Sequence, residues 1–168
     1  MTDYLIVDGY NILHAWNSLK GLLKEDFEHA RLRLIDILGD YRAAKGIKVL
    51  VVFDAHMVKG GAGSKETVNG VEVIYTAEGE TADMAIEKLA GKVETGGVVT
   101  VATSDWAQQR IVFGRGAVRL SARELEQEVM SCRKEMQDHF GNQVIPQGLG
   151  RYISDEIREI LEKIRRQK

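Results

Sequence analysis

The chain of 168 residues has one cysteine and one proline. Cys132 has no partner with which to close a disulfide inside the chain, and no Cys or His spacing resembles a zinc cluster. That fits a reducing compartment, and a cytoplasmic protein is the expectation. With so little proline, long disordered linkers are not expected. No apolar run is long enough to span a bilayer, so no membrane role is expected. The first residues include Asp3 and lack a basic stretch followed by an apolar one, so no signal peptide is expected either. An excess of positive charge is also missing: 23 Lys and Arg stand against 25 Asp and Glu, a formal net charge of −2. Nucleic-acid binders are typically basic overall. Such a role here requires a local basic patch, or acids with a separate task.

What is present is alternation. Apolar, β-branched runs at residues 4–7, 48–53, 71–75 and 98–102 read as strands, with a further short one at 117–120. Between and after them come helical patterns at 11–19, 27–45, 81–93, 106–113, 122–140 and 154–166. In the second of these, Ala30, Leu34, Ile37, Leu38 and Tyr41 share one face, and Gly46 stands where a C-cap belongs. Ser121-Ala122-Arg123-Glu124 matches a capping box. Residues 57–65 are glycine-rich and read as a loop. Alternating strands and helices predict a three-layer α/β fold. Its centre is a mostly parallel sheet of four to five strands, flanked by helices and followed by a C-terminal helix. Residues 1–145 form the expected domain; 146–168 read as a connector and an amphipathic helix packed on it.

In an open parallel sheet, ligands bind beyond the carboxyl ends of the strands. Here each strand exit leads to an acid. Asp8 follows the first strand, Asp54 the second and Asp105 the fourth, while the third leads through "TAEGETAD" to Asp83 at a helix start, with Glu78 and Glu80 before it. One such aspartate is explained as a helix N-cap. Four at one rim repel each other unless a cation sits among them. Oxygen donors without nearby Cys or paired His suit Mg²⁺ or Mn²⁺ rather than zinc. Such ions commonly serve phosphate-ester chemistry.

Other phosphate and nucleotide readings fail at particular residues. A phosphatase with an aspartate nucleophile usually carries a second acid two residues on, and that place is Tyr10. In "GGAGSK" Ser64 precedes Lys65 and a strand follows, the reverse of a phosphate loop. No G-x-G-x-x-G follows the first strand, and the last strand ends in Leu120-Ser121 without the lysine a receiver domain needs. The histidines His14, His29, His56 and His139 form no H-x-x-x-H pair, and only His56, two residues after Asp54, sits near an acid of the rim.

The stretches "VDGYN", "VFDAH", "VKGGAGS", "GETAD" and "TSDWAQQ", in this order and spacing, resemble the YacP-like branch of the NYN domain family. "FGRGAVRLSAREL" extends the likeness, which covers about residues 3–140. NYN domains are similar in fold to PIN nucleases. The resemblance implies a metal-dependent endoribonuclease cutting single-stranded RNA, and its closest branch implies mRNA on the translating ribosome as the setting. Carried over by position, Asp8, Asp83 and Asp105 are the implied ligands of Mg²⁺ or Mn²⁺. Asp54 matches the aspartate of "FDA" and Asn11 the asparagine of "DGYN". A glutamate common in PIN sites has no evident match; Asp54 or Glu80 stands in. For RNA, Lys59, Lys65, Arg110, Arg115, Arg119 and Arg123 are candidate phosphate contacts, and Tyr10 and Trp106 candidate stacking surfaces. A monomer is the expected state. The competing reading is a non-catalytic RNA- or ribosome-binding module of the same fold.

Overall fold

The structure is a computed structural model, and it describes residues 2–55, 63–93, 96–104 and 116–142. The chain divides into two compact units, Met1–Cys132 and Arg133–Lys168. The first holds a six-stranded sheet in the order β3-β4-β2-β1-β5-β6. Its strands are β1 (Tyr4–Asp8), β2 (Lys48–Phe53), β3 (Lys65–Val68), β4 (Val71–Tyr75), β5 (Val99–Ala102) and β6 (Val118–Leu120). All neighbours run parallel except the hairpin β3–β4. Of the second unit, the described part is the end of a helix.

The sheet is one strand larger than expected. Lys65–Val68 is polar and mostly exposed, so it carries no apolar alternation. Its partner β4 and the turn Asn69-Gly70 create it. Both turn residues have positive φ, 52° and 78°, the geometry of a two-residue hairpin turn.

Five helices are described: α1 (Gly9–Ala15), α2 (Asn17–Glu25), α3 (Phe27–Lys45), α4 (Ala82–Lys92) and α5 (Ala122–Asn142). The expected single helix at 11–19 is in fact two. Trp16 is extended between them, its ring is buried, and its indole N–H donates to the Ala122 carbonyl oxygen at 2.8 Å. That anchor, 106 residues away in sequence, breaks the helix. By contrast α3 ends where its own residues dictate. The Asp26 carboxylate accepts from Glu28 N at 3.0 Å, and Gly46 closes the helix in the left-handed region at φ 66°.

Pleating sorts the strands' side chains to two cores. Leu5, Val7, Val51, Phe53 and Val73 pack with α1, α2, α3 and the start of α5. Ile6, Val52 and Val101 pack with Ala85 and Ile86 of α4 on the other face. This is the three-layer arrangement the sequence predicts. The expected helices at 106–113 and 154–166 lie outside the described residues.

Candidate active site

The parallel register fixes where the strands end. Asp8 is opposite Val52 of β2, and Val7 is opposite Ala102 of β5. Asp54 therefore leaves β2 two residues beyond the partner of Asp8, and Thr103 stands beside Asp8 on the other flank. Asp8 shares strand parity with Ile6, so it belongs to the face that α4 covers. α4 packs on β1, β2 and β5 and carries Asp83 in its first turn. The cap of α4 is Thr81, whose hydroxyl accepts from Met84 N at 3.2 Å, so Asp83 is not needed as the cap.

Asp8 is a poor helix cap. Its Oδ1 accepts from Asn11 N at 3.5 Å, the outer limit of a hydrogen bond, whereas the exposed cap Asp26 does so at 3.0 Å. Yet Asp8 is only 7% exposed. The Thr103 hydroxyl, fully buried, donates to Asp8 Oδ2 at a long 3.4 Å. Local capping alone does not account for that burial. Gly9 follows because a Cβ there would meet the Phe53 ring at 2.5 Å.

Asn11 is committed to the backbone. Its Oδ1 accepts from Ser104 N at 2.7 Å, tying α1 to the segment that leaves β5. Half-buried Tyr10 packs edge-on against His14 with centroids 4.3 Å apart, and against Phe27 at 6.2 Å. Lys65 pairs with Glu72 across the hairpin at 3.4 Å, so as a phosphate contact it must first leave that carboxylate. Arg119 and Arg123 are exposed on β6 and at the start of α5. Glu80 serves its own turn, accepting from Ala77 N at 3.3 Å. Asp105, Trp106, Arg110, Arg115, Lys59 and His56 lie outside the described residues.

Two residues at this edge had no functional reading in the sequence. Thr76 and Thr103 each stand one residue past a strand and are buried at 1% and 0% exposure. A hydroxyl directly after an apolar run was the available signal.

The donors at the edge are carboxylate oxygens, the chemistry that hard divalent cations take. Among the described residues, though, no three His, Cys, Asp or Glu side chains come close enough to hold one ion. Asp8, Asp54 and Asp83 thus share an edge without making a complete ligand group by themselves. A cavity of about 450 Å³ lies elsewhere, at the opposite end of the strands, lined by Asp3, Tyr4, Tyr41, Lys45, Val98 and Glu128 among others. There the Tyr41 hydroxyl donates to Glu128 at 2.6 Å, and burial together with that carboxylate raises the phenol's pKa.

The chain belongs to the YacP-like NYN domain family, a family of nuclease-type fold, which it matches over residues 5–166, and its six-stranded, mostly parallel sheet agrees with that fold. It is 43% identical over 166 residues to the uncharacterized protein YacP of Bacillus subtilis (strain 168), covering 98% of this chain and 97% of that protein. The crystal structure of Rae1 (YacP) from Bacillus subtilis superposes with a TM-score of 0.75 at 43% identity, covering 98% of this chain and 95% of that one. The crystal structure of a mutant of the same Bacillus subtilis protein also gives a TM-score of 0.75, at 40% identity and 90% coverage of each chain. Among the described residues no helix is long and apolar enough to cross a membrane.

Proposed function

We propose that the chain is a metal-dependent endoribonuclease that cuts single-stranded RNA, in the cell mRNA presented by the translating ribosome. The observation that carries this reading is Asp8. A carboxylate is buried at the carboxyl edge of the sheet, with Asp54 and Asp83 delivered to the same edge, in a chain of a nuclease-type family. Asp8, Asp83 and Asp105 would hold Mg²⁺ or Mn²⁺, with Asp54 completing the set or orienting the attacking water. A bound ion would supply charge to the phosphoryl oxygens and ease deprotonation of a water. Asn11 fixes the segment that leads to Asp105, through Ser104. Tyr10 and Trp106 offer rings to unstacked bases, and Lys59, Lys65, Arg110 and Arg115 offer charge to phosphates. An acidic chain attracts free RNA weakly, which suits delivery by a ribosome.

The second reading is a non-catalytic RNA- or ribosome-binding module of the same fold, in which the edge acids are merely structural. Cleavage of naked and of translating mRNA, with Mg²⁺, with Mn²⁺ and with EDTA, separates the two. The nuclease reading expects metal-dependent cuts with 5′-phosphate ends that Asp83→Asn abolishes. RNA or ribosome binding without any cut, under every condition, overturns it.

A further inference from the structure

Thr76 gathers three hydrogen bonds at one point of the acid edge. Its N–H donates to the Phe53 carbonyl at 3.1 Å, continuing the β2–β4 pairing past the end of β4. Its carbonyl accepts from Gly63 N at 2.9 Å. Its hydroxyl oxygen accepts from Ala55 N at 3.0 Å. The two backbone bonds suit any residue except, for the first, proline. The third needs a side-chain acceptor of this length. It bears on the peptide directly after Asp54, and the side chain that makes it is 1% exposed. A buried valine would fill the same space and leave the Ala55 amide without this acceptor.

The geometry matters because β2 stops at Phe53. Asp54 lies one residue past that strand, and the peptides on either side of it help to set its direction. On one side is Phe53 O and on the other Ala55 N, and Thr76 binds both. The same residue, through Gly63, also holds the chain where it returns toward β3. We infer that Thr76 is a positioning residue for Asp54: its hydroxyl sets the peptide from which that carboxylate enters the acid edge. The inference rests on the nuclease reading, in which Asp54 works at the site.

Thr76→Val removes the acceptor and keeps the shape, Thr76→Ser keeps the acceptor and loses the methyl, and Thr76→Ala tests the acceptor without a methyl beside the Ala55 amide. RNA cleavage is measured for all three with wild type and Asp83→Asn alongside, and amide hydrogen exchange is followed at Ala55. The expected result is a kcat about 10-fold lower in the valine and alanine variants, the scale of losing an outer support of a ligand, with KM for RNA unchanged. The serine variant should return to within about twofold of wild type, and the Ala55 amide should exchange faster only where the acceptor is gone. Wild-type kcat in the alanine variant, or a serine variant as slow as the alanine one, overturns the inference. If valine does not fold, the alanine and serine pair decides it. If wild type and Asp83→Asn behave alike, or neither cuts RNA, the nuclease reading itself fails and takes the inference with it.

Discussion

Asp8 and Asp26 occupy the same local position, each the N-cap of a helix that begins on the next residue. Asp26 is exposed, bonds Glu28 N at 3.0 Å, and leads into a helix whose own charges are balanced nearby. Five residues on, Arg31 donates to Glu28 and to the Tyr75 hydroxyl and lies 3.6 Å from Glu66. Asp8 is buried and bonds Asn11 N at only 3.5 Å, on the sheet edge to which Asp54 and Asp83 are also delivered. Near Asp26, three acids are set against local partners: Asp26 against an amide, and Glu28 and Glu66 against the Arg31 guanidinium. At Asp8 the fold buries a carboxylate whose capping bond is weak. Under the proposed function that buried carboxylate serves the site, whereas Asp26 serves only its own helix.

The sharpest way to break this comparison is to remove charge while keeping shape. Asp8→Asn and Asp83→Asn should each lower RNA cleavage by more than about 100-fold, beyond what losing an outer support costs. Asp26→Asn should leave cleavage within about twofold of wild type, because asparagine caps as well as aspartate. Circular dichroism should show all three folded. If Asp26→Asn and Asp8→Asn lose activity equally, the two caps do not differ in role.

Metal should tell the two regions apart without any RNA. A cation that binds only the folded state adds about 2.7 kcal/mol of stability at 100 times its Kd. For a chain of this size that is a rise in Tm of roughly 5–10 °C. Wild type and Asp26→Asn should show the rise with Mn²⁺ relative to EDTA, and Asp8→Asn should not. An equal rise in all three places the ion away from Asp8.

The balanced region should lose stability rather than chemistry. Arg31 is 7% exposed, so its removal looks severe at first. But its partners Glu28 and Glu66 have side chains 56% and 48% exposed, and water takes over their solvation when the guanidinium goes. Two hydrogen bonds at about 1 kcal/mol each are therefore the better guide than the roughly 3–5 kcal/mol of a fully buried pair. Arg31→Met, which keeps the apolar stem, should lower stability by about 2 kcal/mol in urea and leave kcat unchanged well below Tm.

How much of this could be read in the chain depends on how local its cause is. The bounds of α3 were legible because Asp26 and Gly46 act within a turn of their own helix. The burial of Leu34 and Leu38 follows from their spacing. The strand ends, and with them the places of Asp8 and Asp54, were legible because apolar runs stop abruptly there, and Asp83 from the helical pattern that begins beside it. The hairpin strand Lys65–Val68 was missed although Asn69-Gly70 marks such a turn, because its own residues are polar. The helix break at Trp16 was not legible, since its cause is Ala122. Thr76 and Thr103 escaped for the same reason: their partners Ala55 and Asp8 are 21 and 95 residues away. The pairing of Lys65 with Glu72 needs the hairpin's register before it exists.

The smallest effect lies in the alkaline range and concerns the balanced region alone. Burial raises the Tyr75 phenol from 10 to about 12; Arg31 opposes the shift, and Glu66 and Glu28 add to it. The folded protein then holds this proton more tightly than the unfolded chain. Its contribution to stability is whole below pH 10 and is lost as pH climbs toward 12. Tyr41 is shifted in the same direction, by burial and Glu128, so wild-type Tm should fall across this window from two sources. Tyr75→Phe has one of them left and should show a shallower fall, by on the order of a few degrees. The comparison is between slopes, because the phenylalanine also loses its bonds to Arg31 and Glu66 at every pH. Parallel curves for the two proteins would mean that Tyr75 ionises alike in both states. The Arg31 cluster would then not be the closed, proton-holding arrangement that sets it apart from the edge at Asp8.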